Sequence, residues 1–345
     1  MKDFSNDIIE WYKENRRNLP WRETKDPYCI WLSEVILQQT RVNQGLPYYL
    51  RFIDVFPTVK DLAKAPEDTV LRLWQGLGYY SRARNLHRCA KVVTENYNGV
   101  FPSSFKELIR LPGIGSYTAA AIASIAFNRE VAVVDGNVYR VLARLFGVAI
   151  DISSTEGKKY FSELANELIS SKHPGDHNQA VMEFGAMHCT PAQPKCGSCV
   201  FVKSCVGYNK GLVDQLPVKE KKAKKKTRYF YYFIFRDGNK IAMKKRTGRD
   251  IWNGLYEFHL IESATEKKVS QVTKNDPLLA KTSVKDVGSI KHILSHQVLQ
   301  IRFFEVENLT NNKKALESLS FVSLKKAGEM PKPIAITRYL EAAGY

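Results

Sequence analysis

The sequence predicts a mainly α protein with a helix–hairpin–helix core, a cysteine-rich loop and a separate C-terminal α+β domain. Three observations support this prediction. Residues 1–210 contain helical patterns separated by proline and glycine, without marked strand alternation. A glycine hairpin lies between two of these helices within Leu111–Arg140. The chain changes character at Val213, and strand-forming residues dominate from Tyr229 onward.

The glycine hairpin has the sequence LPGIG, from Leu111 to Gly115. The upstream Ser104–Glu107 has the form of a capping box that opens a short helix, and the Ala-rich Ser116–Phe127 predicts a longer one. Gly113 and Gly115 allow a tight turn that leaves backbone amides bare at the start of the second helix. Because a helix N-terminus attracts anions, we predict that this hairpin binds the phosphates of a nucleic acid backbone.

Helical patterns also predict the other elements of this region. Pro20 is expected to end the first helix, because proline lacks a backbone donor. Further helices are expected at Tyr28–Thr40, Leu46–Phe56, Val59–Ala63, Thr69–Gln75, Ser81–Asn96, Val138–Phe146, Gly157–Ile169 and Asn178–His188.

The length, amino-acid composition and net charge of the chain limit the classes of protein to which it can belong. The 345 residues are enough for two or three domains, and their apolar content is ordinary for a globular protein. The net charge of +17 indicates a polyanionic partner, nucleic acid first and a membrane surface second, although a lysine-rich surface alone would give the same balance. No run of about 20 apolar residues is present, and the N-terminus is too polar for a signal peptide, so we expect a cytoplasmic protein.

Four of the six cysteines lie close together, with the spacing Cys189-x6-Cys196-x2-Cys199-x5-Cys205. A disulfide framework would spread its cysteines, so this pattern indicates a reducing compartment and a metal. Structural zinc commonly uses two C-x-x-C pairs, and this loop has one. A four-iron, four-sulfur cluster is also held by four thiolates, so iron–sulfur is the preferred assignment and zinc the alternative.

The C-terminal region begins with a basic linker, Lys219–Arg228, which contains six lysines and one arginine. It is most simply a solvated segment, with phosphate contact as an addition. Strands are expected at Tyr229–Phe235, Tyr256–Ile261 and Val298–Val306, with Lys240–Lys244 as the hairpin partner of the first after a turn at Asp237–Asn239. Helices are expected at Asn311–Ser318 and Ile334–Ala343.

Several segments together resemble one family of DNA repair enzymes: the LPGIG hairpin, VVDGNVYR at 133–140 and the cysteine loop, whose gaps match one by one. Glu34 in WLSEVILQQT and GLGYYSRARNL at 76–86 narrow the resemblance to the MutY-type adenine DNA glycosylases of the helix–hairpin–helix superfamily. The resemblance is close over residues 10–210. It implies one [4Fe-4S] cluster on the four cysteines, and a monomer that acts on double-stranded DNA with adenine opposite 8-oxoguanine or guanine.

The resemblance also implies the domain order. It assigns residues 26–130 to a six-helix barrel lobe that contains the hairpin, and residues 1–25 with 131–212 to an iron–sulfur cluster lobe. Residues 213–228 are then the basic linker, and residues 229–345 a Nudix-like domain that recognises 8-oxoguanine. The implied fold is a two-lobed glycosylase core with a C-terminal α+β Nudix-like domain.

Breaking an N-glycosidic bond requires a proton for the leaving base and a negative charge beside the sugar, a division of labour that two carboxylates provide. Glu34 is the candidate acid, because neighbours one helical turn away would favour its protonated form. The residues alone leave open a surface glutamate at position 34 and a plain N-cap at Asp135. The resemblance implies that Glu34 protonates the base, that Asp135 stabilises the oxocarbenium ion, and that Asn137 orients Asp135.

Tyr117 distinguishes between relatives. In the bifunctional glycosylase/lyases this position holds a lysine that forms a Schiff base, whereas no lysine lies between Leu111 and Arg129 here. The resemblance therefore implies base removal by water without efficient strand cleavage, with Tyr117 approaching the catalytic aspartate. An endonuclease III-like glycosylase/lyase for oxidised pyrimidines is the first alternative. A non-catalytic DNA-binding module is the second, and the pair Glu34 and Asp135 argues against it.

A glycosylase must turn its target base out of the duplex and fill the gap. The resemblance implies that Gln39 and Tyr79 are wedge residues, that Trp21 and Arg22 line the adenine pocket, and that Thr40 contacts DNA. From the residues alone, Trp21 would be assigned to the core and Tyr79 to packing against a neighbouring helix.

The segment Leu294-Ser295-His296 matches the family's Phe-Ser-His loop, which contacts the oxidised guanine, with leucine in place of the aromatic ring. A surface hairpin without a role is the alternative. A working Nudix hydrolase needs the box G-x5-E-x7-R-E-x2-E-E, and the residues after Gly254 contain only scattered glutamates. We therefore expect no pyrophosphate hydrolysis by this domain.

Overall fold

The computed structural model describes residues 4–220, 225–279, 282–307, 317 and 319–344. The chain forms two compact units. The first contains Met1–Lys64 and Asn85–Lys221, and the second contains Ala65–Arg84 and Lys222–Tyr345. In the part of the chain that is described, no helix has both the length and the apolar character needed to cross a membrane.

Helices dominate the first 220 residues, and none of the described residues in this range is in a strand. The helices are α1 (Phe4–Asn15), α2 (Pro27–Leu37), α3 (Val42–Val55), α4 (Val59–Lys64), α5 (Glu67–Leu73), α6 (Ser81–Asn96), α7 (Phe105–Leu108), α8 (Ser116–Phe127), α9 (Gly136–Phe146), α10 (Thr155–Leu168), α11 (Pro174–Met187) and α12 (Val206–Asn209). The predicted helices are confirmed, and α6 and α8 have the predicted bounds. Helix α1 ends earlier than expected, at Asn15, and Pro20 instead opens a 3-10 turn, Pro20–Arg22.

The core of the first unit holds α9 in place. Helix α9 is strongly amphipathic, and its apolar side chains Val141 and Leu142 are buried in a cluster with Phe161 and Phe184. This packing fixes the N-terminus of α9, where Asp135 is the N-cap residue.

Helix α8 is buried along most of its length, because its run of alanine, serine and isoleucine lets neighbouring helices approach closely. Helix α2 packs against it. Their packing brings Glu34 of α2 to Tyr117 of α8.

The second unit contains a four-stranded sheet in the order β6-β1-β8-β7. Its strands are β1 (Lys226–Ile234), β6 (His259–Ser263), β7 (Ser283–Ile293) and β8 (Gln297–Glu307); β1 and β8 are parallel, and the other neighbours are antiparallel. Short strands form two further ladders: β2 (Arg236–Asp237), β3 (Lys240–Ala242) and β9 (Phe321–Ser323), and β4 (Lys244–Lys245) with β5 (Tyr256–Glu257). Helices α13 (Val269–Thr273), α14 (Leu324–Glu329) and α15 (Ile334–Ala342) complete the unit.

The pairing of β1 differs from the prediction. Every residue of Phe230–Phe235 is at most 1% exposed, so this strand is buried on both faces and lies between β6 and β8. The predicted hairpin with Lys240–Lys244 forms only at its turn, where Lys240–Ala242 pairs with Arg236–Asp237 and the amide of Ala242 donates to the carbonyl of Phe235 at 3.0 Å. On its other side Lys240–Ala242 pairs with β9, not with β1. The strand predicted at Tyr256–Ile261 is divided at Phe258 into β5 and β6.

Strand β7 was not predicted from the sequence. It lies at the edge of the sheet, is rich in polar residues, and has an irregular register between Asp286 and Gly288 that interrupts strand alternation. The strand predicted at Val298–Val306 and the helix predicted at Ile334–Ala343 are confirmed within one residue at each end. The helix predicted at Asn311–Ser318 lies outside the described residues, apart from Glu317.

The segment Ala65–Arg84 belongs to the second unit, although in the sequence it lies between two segments of the first unit. Lys245 donates to Asp68 at 2.7 Å, and Gln75 donates to Thr337 at 3.1 Å. These long-range contacts join the segment to the C-terminal residues.

Candidate active site

Glu34 lies in α2 with its carboxyl group directed at α8. The hydroxyl of Tyr117 donates a hydrogen bond to Oε2 of Glu34 at 2.6 Å. Burial raises the pKa of Glu34 to about 7; the hydrogen bond from Tyr117 and the charge of Arg22 oppose this shift, and the charge of Asp135 adds to it. Glu34 therefore keeps its proton up to near-neutral pH, which is the property a general acid requires.

Asp135 caps the N-terminus of α9. Its Oδ1 accepts from the backbone amides of Asn137 and Val138, both at 2.8 Å, and its Oδ2 accepts from Asn137 Nδ2 at 2.9 Å. Burial raises the pKa of Asp135, while these hydrogen bonds and the nearby Arg140 oppose the shift. The hydrogen-bond donors around Asp135 all stabilise its ionised form. The site therefore favours a negative charge on Asp135 and a proton on Glu34.

Glu34 and Asp135 line the same cavity in the first unit. Its volume of about 510 Å³ lies within the roughly 300–1,000 Å³ of typical ligand pockets. The other predicted site residues in its wall are Trp21, Arg22, Thr40, Tyr117 and Asn137. The structure thus brings seven of the predicted residues, from distant parts of the chain, to one cavity.

Glu183 was missed by the sequence analysis. It is 1% exposed and accepts paired hydrogen bonds from Arg22 at 2.8 and 2.7 Å and from Arg17 at 2.8 and 2.5 Å. Burial alone would raise the pKa of Glu183, but hydrogen bonds from Arg22 and Arg17 lower it to about 2. The available signal was a single acidic residue inside the otherwise apolar stretch Ala180–Gly185.

Tyr117 contacts Glu34, whereas the resemblance led us to expect an approach to Asp135. Its hydroxyl also lies 3.4 Å from Sδ of Met182, another cavity residue that was missed. Burial and the neighbouring carboxyl groups raise the pKa of Tyr117 well above its usual value, so the hydroxyl remains a donor.

Gln39 and Thr40 follow the end of α2. Gln39 is exposed, with a positive φ of 56° that non-glycine residues adopt uncommonly. It is not in the wall of the cavity, whereas Thr40 lines it and donates to the carbonyl of Gln38 at 3.3 Å. The strained turn therefore presents Gln39 outward beside the cavity wall.

The two glycines of the hairpin have different surroundings. Gly113 has a φ of 75°, and a Cβ atom there would lie 2.5 Å from Cβ of Asn85. Gly115 has an ordinary φ of −92°, and a Cβ atom there would meet nothing within 4 Å. Leu111 anchors the hairpin with its buried side chain, and Gly115 leaves the N-terminus of α8 without a side-chain cap. The fold therefore requires glycine at 113 but not at 115.

A second cavity, with a volume of about 410 Å³, lies within the second unit. Tyr79, Leu294, Ser295 and His296 all line it. Tyr79 is 40% exposed, has a positive φ of 48°, and its hydroxyl is hydrogen-bonded to that of Ser295. Tyr79, which was predicted to be a wedge residue, is thus hydrogen-bonded to the turn Leu294–His296, which was predicted to contact the oxidised guanine.

The loop that carries Tyr79 is held by two neighbours. Trp74 donates from its indole nitrogen to the carbonyl of Gly78 at 3.0 Å. The guanidinium of Arg82 lies over the rings of both Trp74 and Tyr79, at 5.1 and 5.6 Å from their centres. These contacts stabilise an exposed aromatic side chain in an uncommon backbone conformation.

All four clustered cysteines have free thiols and line one small cavity of about 30 Å³. The remaining wall is largely apolar, but Arg144 donates toward Sγ of Cys189 at 3.5 Å, and the amide of Phe201 donates to Sγ of Cys199 at 3.4 Å. Among the described residues, no three His, Cys, Asp or Glu side chains are grouped to hold a metal ion. The four sulfur atoms therefore surround an apolar space.

Comparison with known proteins accounts for both units. Residues 32–169 match the family described as HhH-GPD superfamily base excision DNA repair protein, and residues 231–342 match the NUDIX domain family. An adenine DNA glycosylase of Buchnera aphidicola subsp. Baizongia pistaciae (strain Bp) is 36% identical over 325 residues, which covers 91% of this chain and 90% of that protein. The chain belongs to the adenine DNA glycosylase family.

Other adenine DNA glycosylases match at higher identity over a shorter length. The protein of Homo sapiens is 44% identical over 222 residues, 62% of this chain and 41% of that protein. Among solved structures, a thermostable thymine-DNA glycosylase is 33% identical with a TM-score of 0.56, covering 61% of this chain and 96% of that one. A non-covalent endonuclease III–DNA complex is 22% identical with a TM-score of 0.52, covering 60% and 94%, and shares the fold.

The Nudix-like domain of this family member engages its acidic residues in ion pairs. Glu257 pairs with Arg246 at 3.2 Å, and Glu262 lies 2.6 Å from Arg246 and 2.5 Å from Arg228. Glu257 also accepts from the hydroxyl of Tyr232 at 3.0 Å. The glutamates that follow Gly254 thus contribute to the packing of the domain.

Proposed function

We propose that this protein removes adenine from duplex DNA where adenine lies opposite 8-oxoguanine or guanine, and that it leaves an abasic site without cutting the strand. The observation that carries this proposal is that Glu34 and Asp135 line one cavity, with a proton favoured on Glu34. The relatives named adenine DNA glycosylase support adenine as the base removed.

In the proposed reaction, Glu34 protonates the extruded adenine, which weakens the bond between the base and C1′ of the sugar. As the bond breaks, the electron pair leaves with the base, and positive charge develops on the sugar. Asp135 stabilises this oxocarbenium ion through its negative charge. Water then adds to C1′ and releases a proton, which completes hydrolysis.

Tyr117 supports a reaction without a covalent amine intermediate. A lyase needs an amine nucleophile at the sugar, and Tyr117 presents a hydroxyl that is bonded to Glu34 and stays protonated. We propose that Tyr117 positions Glu34 and that Asn137 positions Asp135. Trp21 and Arg22 would contact the extruded adenine, with Arg22 held by Glu183.

The DNA backbone would be held by the hairpin. The bare amides at the start of α8 suit a phosphate group, and Gly115 leaves room for its close approach. Gln39 and Thr40 would contact the strand beside the extruded adenine. Tyr79 and the turn Leu294–His296 would contact the opposite base from the second cavity.

We also propose that Cys189, Cys196, Cys199 and Cys205 hold a [4Fe-4S] cluster. The four thiols line one cavity with a largely apolar wall, and four thiolates within one short loop are the ligand set of such a cluster. When bound, the cluster would crosslink the loop and stabilise the fold. Brown colour with about four iron atoms per chain is the expected result for the purified protein, and one zinc atom per chain would contradict the assignment.

Single-turnover glycosylase assays test the proposed activity. Duplexes with adenine opposite 8-oxoguanine, guanine or thymine are compared, and we expect release from the first two only. Strand cleavage is scored before and after alkali, and borohydride is added to trap any Schiff base. Trapping of a covalent complex would favour the endonuclease III-like alternative, and binding without base release would favour a DNA-binding module.

A further inference from the structure

One arginine joins two segments of the chain that line the second cavity. Arg228, on β1, donates from Nη1 and Nη2 to the two carboxylate oxygens of Asp250 at 2.9 and 2.5 Å. Its Nη1 also donates to Oε1 of Gln297 at 3.3 Å. Asp250 and Gln297 both line the cavity, and Gln297 comes directly after Ser295 and His296 in the chain. The guanidinium of Arg228 thus connects the loop at Asp250 to Gln297, the residue that directly follows the turn Leu294–His296.

The same carboxylates also pair with a second arginine. Arg246 donates to Asp250 at 2.7 Å, to Glu262 at 2.6 Å and to Glu257 at 3.2 Å. Within the described part of the chain, Arg246 makes no hydrogen bond to the turn at 294–297. It therefore shares the ionic surroundings of Arg228 but not the connection to Gln297.

The loop at Asp250 is held in an uncommon conformation. Trp252, two residues later, has a φ of 61°, which is rare for so bulky a side chain. Its ring packs edge to face on Phe230, with centres 5.8 Å apart. The side chain of Arg228 is only 17% exposed, so solvent screens its bonds to Asp250 less than those of a surface pair. Bidentate pairing fixes both the distance and the angle of the loop.

We propose that Arg228 is a positioning residue for recognition of the base opposite adenine. By bonding to Asp250 and Gln297 at once, it holds the loop at Asp250 next to the end of the turn that carries Ser295 and His296 and sets the orientation of that turn. This inference rests on the proposed function, because it assigns the second cavity to the opposite base. A lysine in its place would keep the charge but lose the planar fork that reaches both partners.

Arg228→Lys tests the inference, and Arg246→Lys is the matched control. The measurement is the ratio of adenine release rates opposite 8-oxoguanine and opposite guanine, together with the affinity for both duplexes carrying an uncleavable adenine analogue. Loss of a hydrogen bond to a charged group predicts that Arg228→Lys lowers the ratio about tenfold, and that Arg246→Lys changes it less than about twofold. Rates opposite guanine should stay similar in both variants, which a merely structural role would not produce.

Gln297→Leu provides an independent variant, because it removes the acceptor and leaves the ionic network intact. It should lower the ratio as Arg228→Lys does, and the double variant should lose no more than the single variants. An unchanged ratio in Gln297→Leu, or equal losses opposite both bases, would overturn the inference. A wild-type protein that released no adenine opposite either base would contradict the proposed function itself, whereas equal wild-type rates opposite both bases would overturn this inference alone.

Discussion

Arg140 donates a hydrogen bond from Nη2 to the side-chain oxygen of Asn137 at 2.9 Å. This contact fixes which way the amide of Asn137 faces, because only its oxygen can accept from a guanidinium. Nδ2 of Asn137 is thereby directed to Asp135, and Nε of Arg140 donates to the carbonyl of Cys189 at 2.8 Å. A continuous series of hydrogen bonds therefore connects the cysteine loop to the carboxylate of Asp135.

Replacing Arg140 by lysine is expected to lower the rate of adenine release about tenfold, because Asn137 loses the contact that orients it. Duplex affinity should change little, since Arg140 is only 8% exposed and lysine keeps its charge. Arg144→Lys is the matched control, because Arg144 donates to the backbone of the same loop at Thr190 but not to Asn137. Equal losses of rate in the two folded variants would show that only the loop as a whole matters.

The pH dependence of adenine release should report the protonation of Glu34. Burial raises the pKa of Glu34 to about 7, so the acid form is present below that pH and is lost above it. Single-turnover rates should be nearly constant below pH 7 and fall roughly tenfold for each further pH unit.

Glu34→Gln keeps the shape of the side chain but removes its transferable proton. We expect adenine release to fall below detection while binding to a mispaired duplex is retained, and Glu10→Gln, at an exposed position of α1, serves as control. A Glu34→Gln variant that retained the wild-type rate would exclude Glu34 as the acid.

Glu183 balances two arginine charges beside the cavity. Glu183→Gln should reduce the free energy of unfolding by about 3 kcal/mol, because removing one partner leaves Arg22 and Arg17 without their counter-charge. Since these arginines lower the pKa of Glu183 to about 2, its contribution to stability should be complete above the ordinary pKa of a glutamate and be lost progressively as the pH falls from there to about 2. Urea unfolding of both proteins at pH 7 and pH 3 measures this; a stability difference that vanished at pH 3 would contradict the depressed pKa.

The two hairpin glycines should respond in opposite ways to alanine. Gly113→Ala should cost about 2 kcal/mol or more of stability, because its φ is 75° and the new methyl group would meet Asn85. Gly115→Ala should cost about 1 kcal/mol at most, as an N-cap change, yet weaken duplex binding about tenfold because the methyl group would occupy the approach of a phosphate. Thermal unfolding and duplex affinity of both variants distinguish the two effects, and unchanged affinity in Gly115→Ala would argue against phosphate binding there.

Local sequence patterns predicted most of the helical fold. Helix periodicity, and the ends of helices at proline and glycine, depend on residues that are close together in the sequence. Ser116–Phe127 is an example, since its composition and the preceding glycine define both ends. The family resemblance then indicated Glu34, Tyr117 and Asp135, which the structure brings to one cavity.

Features that depend on distant partners were not predictable in this way. Glu183 looks like an ordinary helix residue until Arg17 and Arg22, far away in the chain, are known to surround it. Strand β7 has too polar a sequence and too irregular a register to show alternation. The grouping of Ala65–Arg84 with the C-terminal residues likewise rests on contacts that no local pattern encodes.

That grouping has a practical consequence for dissection of the protein. A recombinant fragment that starts after the linker would lack Asp68 and Gln75, the partners of Lys245 and Thr337. It would also lack Tyr79, which bonds to Ser295. Fusing residues 65–84 to such a fragment through a flexible tether would restore these partners. Binding of damaged DNA by the C-terminal half should therefore be measured on this fusion and not on the shorter fragment.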